Sequence, residues 1–322
     1  MGIRTLRQVL ADAEAGGYAV GAFNVSSLEQ AVAVMEAATA ERSPVIVQAI
    51  SGMSPYSSEA RWWRQLRAVV ADYDDVPACV HLDHGRTYDD CLRAIAAGFS
   101  SVMIDASRDP DTDEPAGYEA NRALTVRVVE AAHAAGVSVE GELGTVGGAE
   151  AGVKGILEEI VFADPDTAER FVAETGVDAL AVAVGTSHGS VKFTDAAGGQ
   201  RLRIGLIEQI KRRLPDTYLV LHGSSSVPAD AVETINAFGG AVTPSYGIGL
   251  EQKQEGIASG IRKINQGTDS HLAWSAALRE FLAAQPAVVE PSEQLRPAMA
   301  AFRDMVALRM REFGSAGKHP NP

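Results

Sequence analysis

Apolar, β-branched segments alternate with Ala-rich helical segments from one end of the chain to the other. This alternation is typical of parallel βαβ units, because each helix returns the chain to the end at which the next parallel strand begins. The predicted strands are Val20–Asn24, Val45–Ala49, Ala78–Asp83, Ser101–Asp105, Val137–Glu142, Ala179–Val184, Tyr218–His222 and Ile261–Asn265. Eight such repeats favour an α/β fold of the (β/α)8 TIM barrel class over an open, doubly wound sheet.

Helix-capping residues, prolines and glycines bound the segments between these strands. The predicted helices there include Leu28–Ala40, Tyr88–Ala97, Gly117–Ala135 and Pro165–Thr175. From Ala284 onward no strand pattern remains, and the sequence predicts a loop followed by a helix, Leu295–Phe313. We therefore expect a barrel catalytic domain in residues 1–283 and an extra C-terminal helical segment, residues 284–322, that packs on the barrel or on a partner subunit.

The charge and the cysteine content limit the partners and the compartment. The 322 residues include 28 Lys and Arg against 42 Asp and Glu, which gives a formal net charge of −14. An acidic protein disfavours nucleic acid and anionic membranes as partners, although a local basic site still admits a small anionic substrate. No segment predicts a signal peptide or a membrane span, and two cysteines without CxxC spacing argue against a disulfide framework. A cytoplasmic location is the expectation.

Polar side chains stand at the carboxyl end of nearly every predicted strand. They are Asn24, Gln48, Asp83 with His84, Asp105, Glu142, His188 a few residues after its strand, His222 and Asn265. In α/β barrels these strand ends meet at one mouth, where active sites lie. Ordinary polarity of strand ends explains one or two such residues, but it explains three histidines together with acids and amides poorly.

Three of these residues, His84, His188 and His222, are suited to bind one divalent metal ion. Three protein ligands that leave one coordination position open are the usual set of a catalytic zinc site, and the open position polarises a substrate oxygen. Each histidine alone is more readily explained as an ordinary one, but all three have neighbouring glycines. His81 shares the strand face of Asp83 and is expected to support a ligand rather than to bind metal.

Two acidic residues are candidates for proton transfer. Asp83 directly precedes His84, so its carboxylate either exchanges a proton with a substrate hydroxyl or only orients a metal ligand. Glu150 lies in the glycine-rich connection Gly144–Glu159, a candidate mobile lid, and it can act as a base if this segment closes over the site. A lone loop glutamate is more often solvated, so both interpretations of Glu150 stay open.

Two connections made of small residues, Gly185–Lys192 and His222–Pro228, are candidate phosphate-binding loops. Such loops expose backbone N–H groups that bind anions, and barrel enzymes often bind phosphate at the loops that follow strands seven and eight. Thr268 follows the eighth predicted strand and belongs to the same region. An ordinary tight turn is the alternative for each loop.

Several motifs, taken in order, resemble those of the class II fructose-1,6-bisphosphate aldolases, and the segment His-Gly-Ser-Ser-Ser-Val-Pro is most similar to their Calvin-cycle subtype. The motifs are Ala22–Asn24, Leu28–Gln30, His81–Gly85, Gly98–Met103, Val137–Gly144, Gly185–Gly189 and Phe313–Gly317. The likeness covers nearly the whole chain. It implies a retro-aldol lyase in which a metal polarises the carbonyl of dihydroxyacetone phosphate and stabilises its enediolate.

The resemblance implies a metal centre and an assembly state. Residues that match the family's ligands for one catalytic Zn²⁺ are His84, His188 and His222. Glu142 and Asp105 match an alternate or second metal position. Members of the family often bind Na⁺ or K⁺ near the phosphate, and they are usually homodimers or homotetramers.

The resemblance also implies roles at a sugar-phosphate substrate. Asp83 matches the acid/base at the C4 hydroxyl, Glu150 a loop base that moves the enolising proton, and Asn265 a contact to donor oxygens. The expected substrate-binding residues are Asn24, Gly189, Lys192, Gly223, Ser225, Thr268 and His271.

Departures from the family pattern affect phosphate recognition. His271 stands where an Arg of the nearest branch grips the far phosphate, Gly267 replaces a phosphate-side Asp, and Ile50 stands where a Ser is common beside the donor. Because His has neither a permanent charge nor a bidentate fork, the sequence predicts the same chemistry with a non-standard acceptor aldehyde. Arg61, Arg64 or an Arg of a partner subunit is the alternative source of this charge.

Two other classes of protein stay open. A barrel metallohydrolase also gathers histidines at strand ends, although it usually has an early His-x-His where this chain has His81-Leu82-Asp83. A non-catalytic binding protein on an inactive aldolase scaffold is disfavoured, because Asp83, Asn265 and the three histidines are all retained.

Overall fold

The computed structural model describes residues 2–109, 112, 114–144, 147–150, 153–155, 162–188 and 201–319, with the backbone alone at 147–150, 153–155 and 187–188. The strands are β1 Val20–Asn24, β2 Val45–Ile50, β3 Ala78–Gly85, β4 Ser101–Ile104, β5 Ser138–Leu143, β6 Gly147–Glu150, β7 Val153–Gly155, β8 Ala179–Val182, β9 Ser187–His188, β10 Tyr218–Leu221 and β11 Ile261–Gln266. The helices are α1 Leu6–Gly16, α2 Leu28–Glu41, α3 Glu59–Ala71, α4 Tyr88–Ala96, α5 Tyr118–Ala134, α6 Pro165–Thr175, α7 Ile204–Arg213, α8 Ala229–Ala237, α9 Leu250–Ala258, α10 Thr268–Ala284 and α11 Pro291–Glu312. Among the described residues, no helix has both the length and the apolar character needed to cross a membrane.

Eight of these strands close into one parallel barrel in the order β1-β11-β10-β8-β5-β4-β3-β2. The predicted (β/α)8 TIM barrel is therefore confirmed, and every predicted barrel strand overlaps an observed one. Three strands end slightly earlier than predicted: β4 ends at Ile104, β8 at Val182 and β10 at Leu221. Asp105 and His222 consequently lie directly after their strands, at the carboxyl-end mouth.

Helix α1 covers the amino-terminal end of the barrel. Its buried residues are Leu6, Val9, Leu10 and Ala13, a spacing that puts all four on one helix face. They pack in one cluster with inward-facing strand residues such as Val20, Ile46, Cys79 and Met103. Thr5 caps α1 together with Gln8 in a capping box, which fixes where the helix begins. Because this end is filled with apolar side chains, access to polar groups inside the barrel comes from the carboxyl-end mouth.

A small second sheet is formed by two connections for which no strand was predicted, with β6 and β7 after β5 and β9 after β8. Strand β6 pairs antiparallel with β7 and parallel with β9. The glycine-rich connection Gly144–Glu159, for which only a candidate lid was predicted, thus contains the two strands β6 and β7. Glycine-rich segments have low β-propensity, so pairing between segments, rather than local sequence, defines these strands. Whether the segment is a mobile lid stays a prediction.

The C-terminal helix α11 begins at Pro291, four residues before the predicted start at Leu295. The helix starts at a proline in its first position and is capped by Glu290, whose side chain accepts from the Ser292 N–H. It packs on α10 and on α2, where Arg311 pairs with Glu41. The helix thus lies on the barrel, whereas a domain boundary at residues 283/284 and contact with a partner subunit stay predictions.

Candidate metal centre and active site

Asp83 and His84 are sequence neighbours, yet both line the cavity at the mouth. Successive residues of a regular strand point to opposite faces, so one of the two would normally face away. The pairing of β3 with β4 shifts its register between Leu82 and Gly85, and His84 adopts a left-handed φ of 49°. This irregularity, of the kind that re-aims side chains at barrel rims, turns both residues into the mouth.

The rings of His84 and His222 meet at the centre of the mouth. His84 Nε2 lies 3.1 Å from His222 Nδ1, and the two rings are perpendicular. The other nitrogen of each ring donates to a carboxylate: His84 Nδ1 to Asp105 Oδ2 at 3.0 Å, and His222 Nε2 to Glu140 Oε1 at 2.7 Å. The two facing nitrogens therefore share either a proton, as a hydrogen bond between the rings, or a metal cation that takes the place of this proton.

The spacing of these nitrogens fits a zinc ion. Two ligands that each lie about 2.05 Å from zinc at a tetrahedral angle are separated by about 3.3 Å. A carboxylate oxygen of Asp83 joins His84 and His222 in a group whose potential ligand atoms all lie within 4.8 Å of one another. The carboxylates behind the rings fix their orientation, as is usual for metal-binding histidines. The donor set of the described residues therefore suits a divalent metal.

Acidic groups concentrate negative charge around His84. Burial alone would lower the pKa of His84, but the nearby carboxylates, with Asp83 first among them, raise it to about 10. Burial raises the pKa of Glu142 well above its usual value, and the charge of Asp105 adds to this effect. Burial opposes ionisation of Asp105, yet its hydrogen bond with His84 holds the Asp105 pKa below the usual range. The mouth thus favours a positive charge.

Glu142 and Asp105 were predicted to mark a second metal position. Together with His84 they bring potential ligand atoms within 4.8 Å of one another. Glu142 Oε2 is buried, 3.8 Å from His84 Nδ1, and accepts no hydrogen bond from the described residues. An unsatisfied buried oxygen of this kind suits a cation, but Asp105 already accepts from His84 and from Ser107. The second position stays a prediction.

Asp83 is held by three side-chain amides. Its Oδ2 accepts from Asn24 Nδ2 at 2.8 Å and from Gln48 Nε2 at 3.1 Å, and its Oδ1 accepts from Asn265 Nδ2 at 2.9 Å. The carboxylate is 2% exposed, beside the facing histidine nitrogens. A group fixed in this way is suited to exchange a proton with a substrate hydroxyl at the metal. These hydrogen bonds bring together the predicted residues Asn24, Asp83 and Asn265.

Sequence reasoning missed the buried ionic network beneath the metal centre. Glu140, besides contacting His222, lies 2.8 Å from Lys263 Nζ, and both side chains are fully buried inside the barrel. His81 donates or accepts at Ser101 Oγ, 2.9 Å away, and its pKa is lowered by burial and then by Lys263. Strand periodicity could have identified both residues. Glu140 lies two residues before Glu142, and Lys263 two before Asn265, so each shares a strand face with a predicted site residue.

The loop after β10 forms one wall of the mouth. Gly223, Ser224 and Ser225 line the cavity together with Gly267, which precedes α10. Thr268 is the first residue of α10 and is buried. The loop predicted to bind phosphate and the residues that follow β11 therefore lie side by side, and phosphate binding there stays a prediction.

The remaining predicted site residues either lie away from the cavity or have no described side chain. The structure gives His188 and Glu150 by backbone alone, and Gly189 and Lys192 lie outside the described residues. His271 is exposed on α10, where its ring packs 6.1 Å from that of Phe302, and it is not part of the cavity lining.

A parallel eight-stranded barrel with paired histidines and carboxylates at its carboxyl-end mouth defines a metal-dependent barrel enzyme. The family model for class II fructose-bisphosphate aldolases matches residues 4–318. The chain belongs to this family of lyases.

Relatives and a solved structure agree with this assignment. The chain is 45% identical to a fructose-bisphosphate aldolase of Stutzerimonas stutzeri, over 98% of this chain and 92% of that one. It is also 45% identical to a fructose-bisphosphate aldolase of Nostoc commune, over 98% and 91%. The crystal structure of the YdjI aldolase from Escherichia coli K12 is similar with a TM-score of 0.78 and 27% identity, covering 99% of this chain and 100% of that one.

Proposed function

We propose that the protein is a zinc-dependent class II aldolase that reversibly cleaves a ketose (bis)phosphate, such as fructose 1,6-bisphosphate, into dihydroxyacetone phosphate and an aldehyde. The observation that carries this proposal is the 3.1 Å approach of His84 Nε2 and His222 Nδ1 beside the fixed carboxylate of Asp83. We extend it to a cytoplasmic homodimer or homotetramer that binds neither nucleic acid nor membranes, in keeping with the net charge of −14.

The proposed metal site combines two histidines whose side chains are described with His188, which the structure gives by backbone alone. His84 and His222 would hold the zinc ion, and we assign the third ligand to His188. When bound, zinc supplies a Lewis acid for the carbonyl oxygen of the donor. Asp105 and Glu140 fix the tautomers of His84 and His222 by accepting their other ring protons.

Proton transfer falls to the carboxylates at the mouth. In the cleavage direction Asp83 accepts the proton of the C4 hydroxyl, and in condensation it returns that proton to the new hydroxyl. The amides of Asn24, Gln48 and Asn265 keep the Asp83 oxygens in place without competing for this proton, since they only donate to them. We assign the second proton transfer, at the carbon of the donor, to Glu150.

The donor phosphate is placed against the loop after β10 and the start of α10. Gly223, Ser225 and Thr268 are the described members of this pocket, and we add Gly189 and Lys192 from the neighbouring connection. A monovalent cation, Na⁺ or K⁺, is proposed near the same phosphate.

Removal of the metal tests the proposal. Chelation is expected to lower the release of dihydroxyacetone phosphate from fructose 1,6-bisphosphate by more than about a hundredfold, because a metal contributes several kcal/mol to stabilising the developing charge. Added Zn²⁺ should restore the release. Metal analysis gives an independent readout: His84→Ala should lose zinc, whereas His133→Ala, which removes a His–carboxylate pair at Asp178 away from the mouth, should retain it. Metal-dependent hydrolysis without an aldol product would instead identify a metallohydrolase.

The same chemistry with a non-standard acceptor aldehyde is the second candidate. Ile50 gives the cavity wall an aliphatic side chain opposite Asp83 in the β2–β3 register. The hydroxyl of Ser51 does not supply the polar group that Ile50 lacks, since this hydroxyl donates to Glu59 at 3.0 Å. The nearby Arg93 is engaged by Glu59 and Asp90. The engagement of Arg93 by two carboxylates and the position of His271 against Phe302 favour an acceptor without a phosphate.

Acceptor preference is measured by condensing dihydroxyacetone phosphate with glyceraldehyde 3-phosphate or with glyceraldehyde. The wild type is expected to show no advantage in kcat/KM for the phosphorylated aldehyde. His271→Arg should raise the phosphorylated-to-unphosphorylated ratio by about ten- to a hundredfold, the range of a charge-assisted hydrogen bond. His271→Gln, which adds no charge, is the matched control and should leave the ratio unchanged. A strong wild-type preference for the phosphorylated aldehyde would eliminate this candidate.

A further inference from the structure

The loop after β10 is held from behind by one buried carboxylate. Asp269, in the first turn of α10, accepts from the backbone N–H of Ser226 at 3.1 Å and of Val227 at 2.9 Å. Val227 has a left-handed φ of 56°, which is strained for a β-branched residue. Such a conformation persists only where the surroundings fix it, and these two hydrogen bonds supply part of that restraint.

The carboxylate of Asp269 is itself paired with the C-terminal helix. Arg309 of α11 donates to Asp269 Oδ2 from Nε at 3.1 Å and from Nη2 at 2.9 Å. The side chain of Asp269 is 0% exposed and that of Arg309 is 7% exposed, so the pair is shielded from solvent. Arg309 also contacts Glu312 one turn later. Arg309 is therefore linked to the loop after β10 through the carboxylate of Asp269.

The loop is also confined on its other side. Lys253 Nζ donates to Ser226 Oγ at 2.6 Å, and Ser226 Oγ donates to the Ile248 carbonyl at 3.0 Å. Gly247 lies so close that a β-carbon there would be 1.9 Å from the Ser225 carbonyl oxygen. These contacts fix Ser226 and Val227 on both sides, which restricts how the preceding residues of the loop face the cavity.

We propose that Arg309 is a positioning residue for phosphate binding, acting through Asp269 on the loop Gly223–Val227. This inference rests on the proposed function, because the anion expected at the loop is the phosphate of the donor. Two effects follow from the geometry. Arg309 holds the carboxylate where it accepts from both loop N–H groups, and its charge offsets a negative charge that would otherwise repel a phosphate dianion from behind the loop.

Arg311 provides a matched control on the same helix. It pairs with Glu41 of α2 and so also anchors α11 to the barrel, but away from the loop. The experiment compares Arg309→Met, Arg309→Lys and Arg311→Met by calorimetric titration with inorganic phosphate. Arg309→Met is expected to weaken phosphate binding by about tenfold or more, Arg309→Lys by a smaller factor, and Arg311→Met by less than about twofold.

Kinetics separate positioning from general destabilisation. Arg309→Lys keeps the buried charge and is expected to fold, so it supports the test even if Arg309→Met does not. Its KM for the phosphorylated donor should rise while kcat changes little, and the ratio of kcat/KM for dihydroxyacetone phosphate over dihydroxyacetone should fall. Equal losses with both donors, or phosphate affinities that match those of Arg311→Met, would overturn the inference.

The outcomes for the two proposals are distinguishable. If the wild type cleaves sugar phosphates but Arg309→Lys binds phosphate normally, the proposed function stands and the inference fails. If the wild type shows no metal-dependent aldol cleavage but its phosphate affinity depends on Arg309, the inference stands and the proposed function fails.

Discussion

Asp83→Asn is expected to lower kcat for aldol cleavage by about two to four orders of magnitude, the range that a positioned general acid/base contributes. Asn has nearly the same shape as Asp, and its amide oxygen can still accept from Asn24 and Gln48, which meet at Asp83 Oδ2. It cannot accept the proton of a substrate hydroxyl as a carboxylate does. The variant therefore removes the proposed chemistry and leaves most of the contacts.

Steady-state kinetics and metal analysis must be measured on the same preparation of Asp83→Asn. Zinc content should stay within about twofold of the wild type if His84 and His222 are the ligands. Asp89→Asn, which removes an exposed carboxylate from the first turn of α4, is the control for a general change in charge. If kcat stayed within tenfold of the wild type while zinc content fell, Asp83 would act only by orienting the metal centre.

The barrel was predictable because its signals are local. Most barrel strands have a run of buried apolar residues, and capping residues or glycines mark many of the helix ends, as at Thr87 before α4 and Gly176 after α6. Polar residues at the strand ends could then be placed at one mouth from topology alone. Asn24, Asp83 and Asn265 do meet there, although they come from three different strands.

The inward turn of both Asp83 and His84 could not be predicted in this way. Their adjacency in a regular strand predicts opposite faces, and the register shift that resolves the conflict depends on pairing with β4. The small sheet of β6, β7 and β9 was missed for a related reason, since its glycine-rich strands are defined by their partners.

Ion pairs between residues that are distant in sequence could not be predicted either. The sequence predicted a C-terminal helix, but it provided no reason to single out Arg309 among the arginines of that helix. Its importance follows from the buried partner Asp269, which lies on another helix. The charges of Glu140 and Lys263 stand within barrel strands, and their pairing across the barrel interior appears only in three dimensions.

Lys263→Met is expected to lower the free energy of unfolding by about 3–5 kcal/mol, the usual effect of removing one partner from a buried ion pair. Both side chains are fully buried, so Glu140 would lose its counter-charge where water cannot replace it. Lys263 Nζ also donates to Asn265 Oδ1 at 2.7 Å, and Asn265 in turn holds Asp83. The variant should therefore lose activity as well as stability.

A second variant separates the two effects. Lys263→Met combined with Glu140→Met removes both charges, and it is expected to recover much of the lost stability in chemical denaturation, since a buried pair is often replaceable by apolar groups. Zinc affinity should nevertheless fall by about ten- to a hundredfold, because His222 Nε2 loses the carboxylate that accepts its proton. Arg213→Met breaks a solvent-exposed pair with Glu169 and is the control that should change stability far less. If Lys263→Met matched this control in stability and the double variant kept wild-type zinc affinity, the Glu140–Lys263 pair would have no role in holding the metal centre.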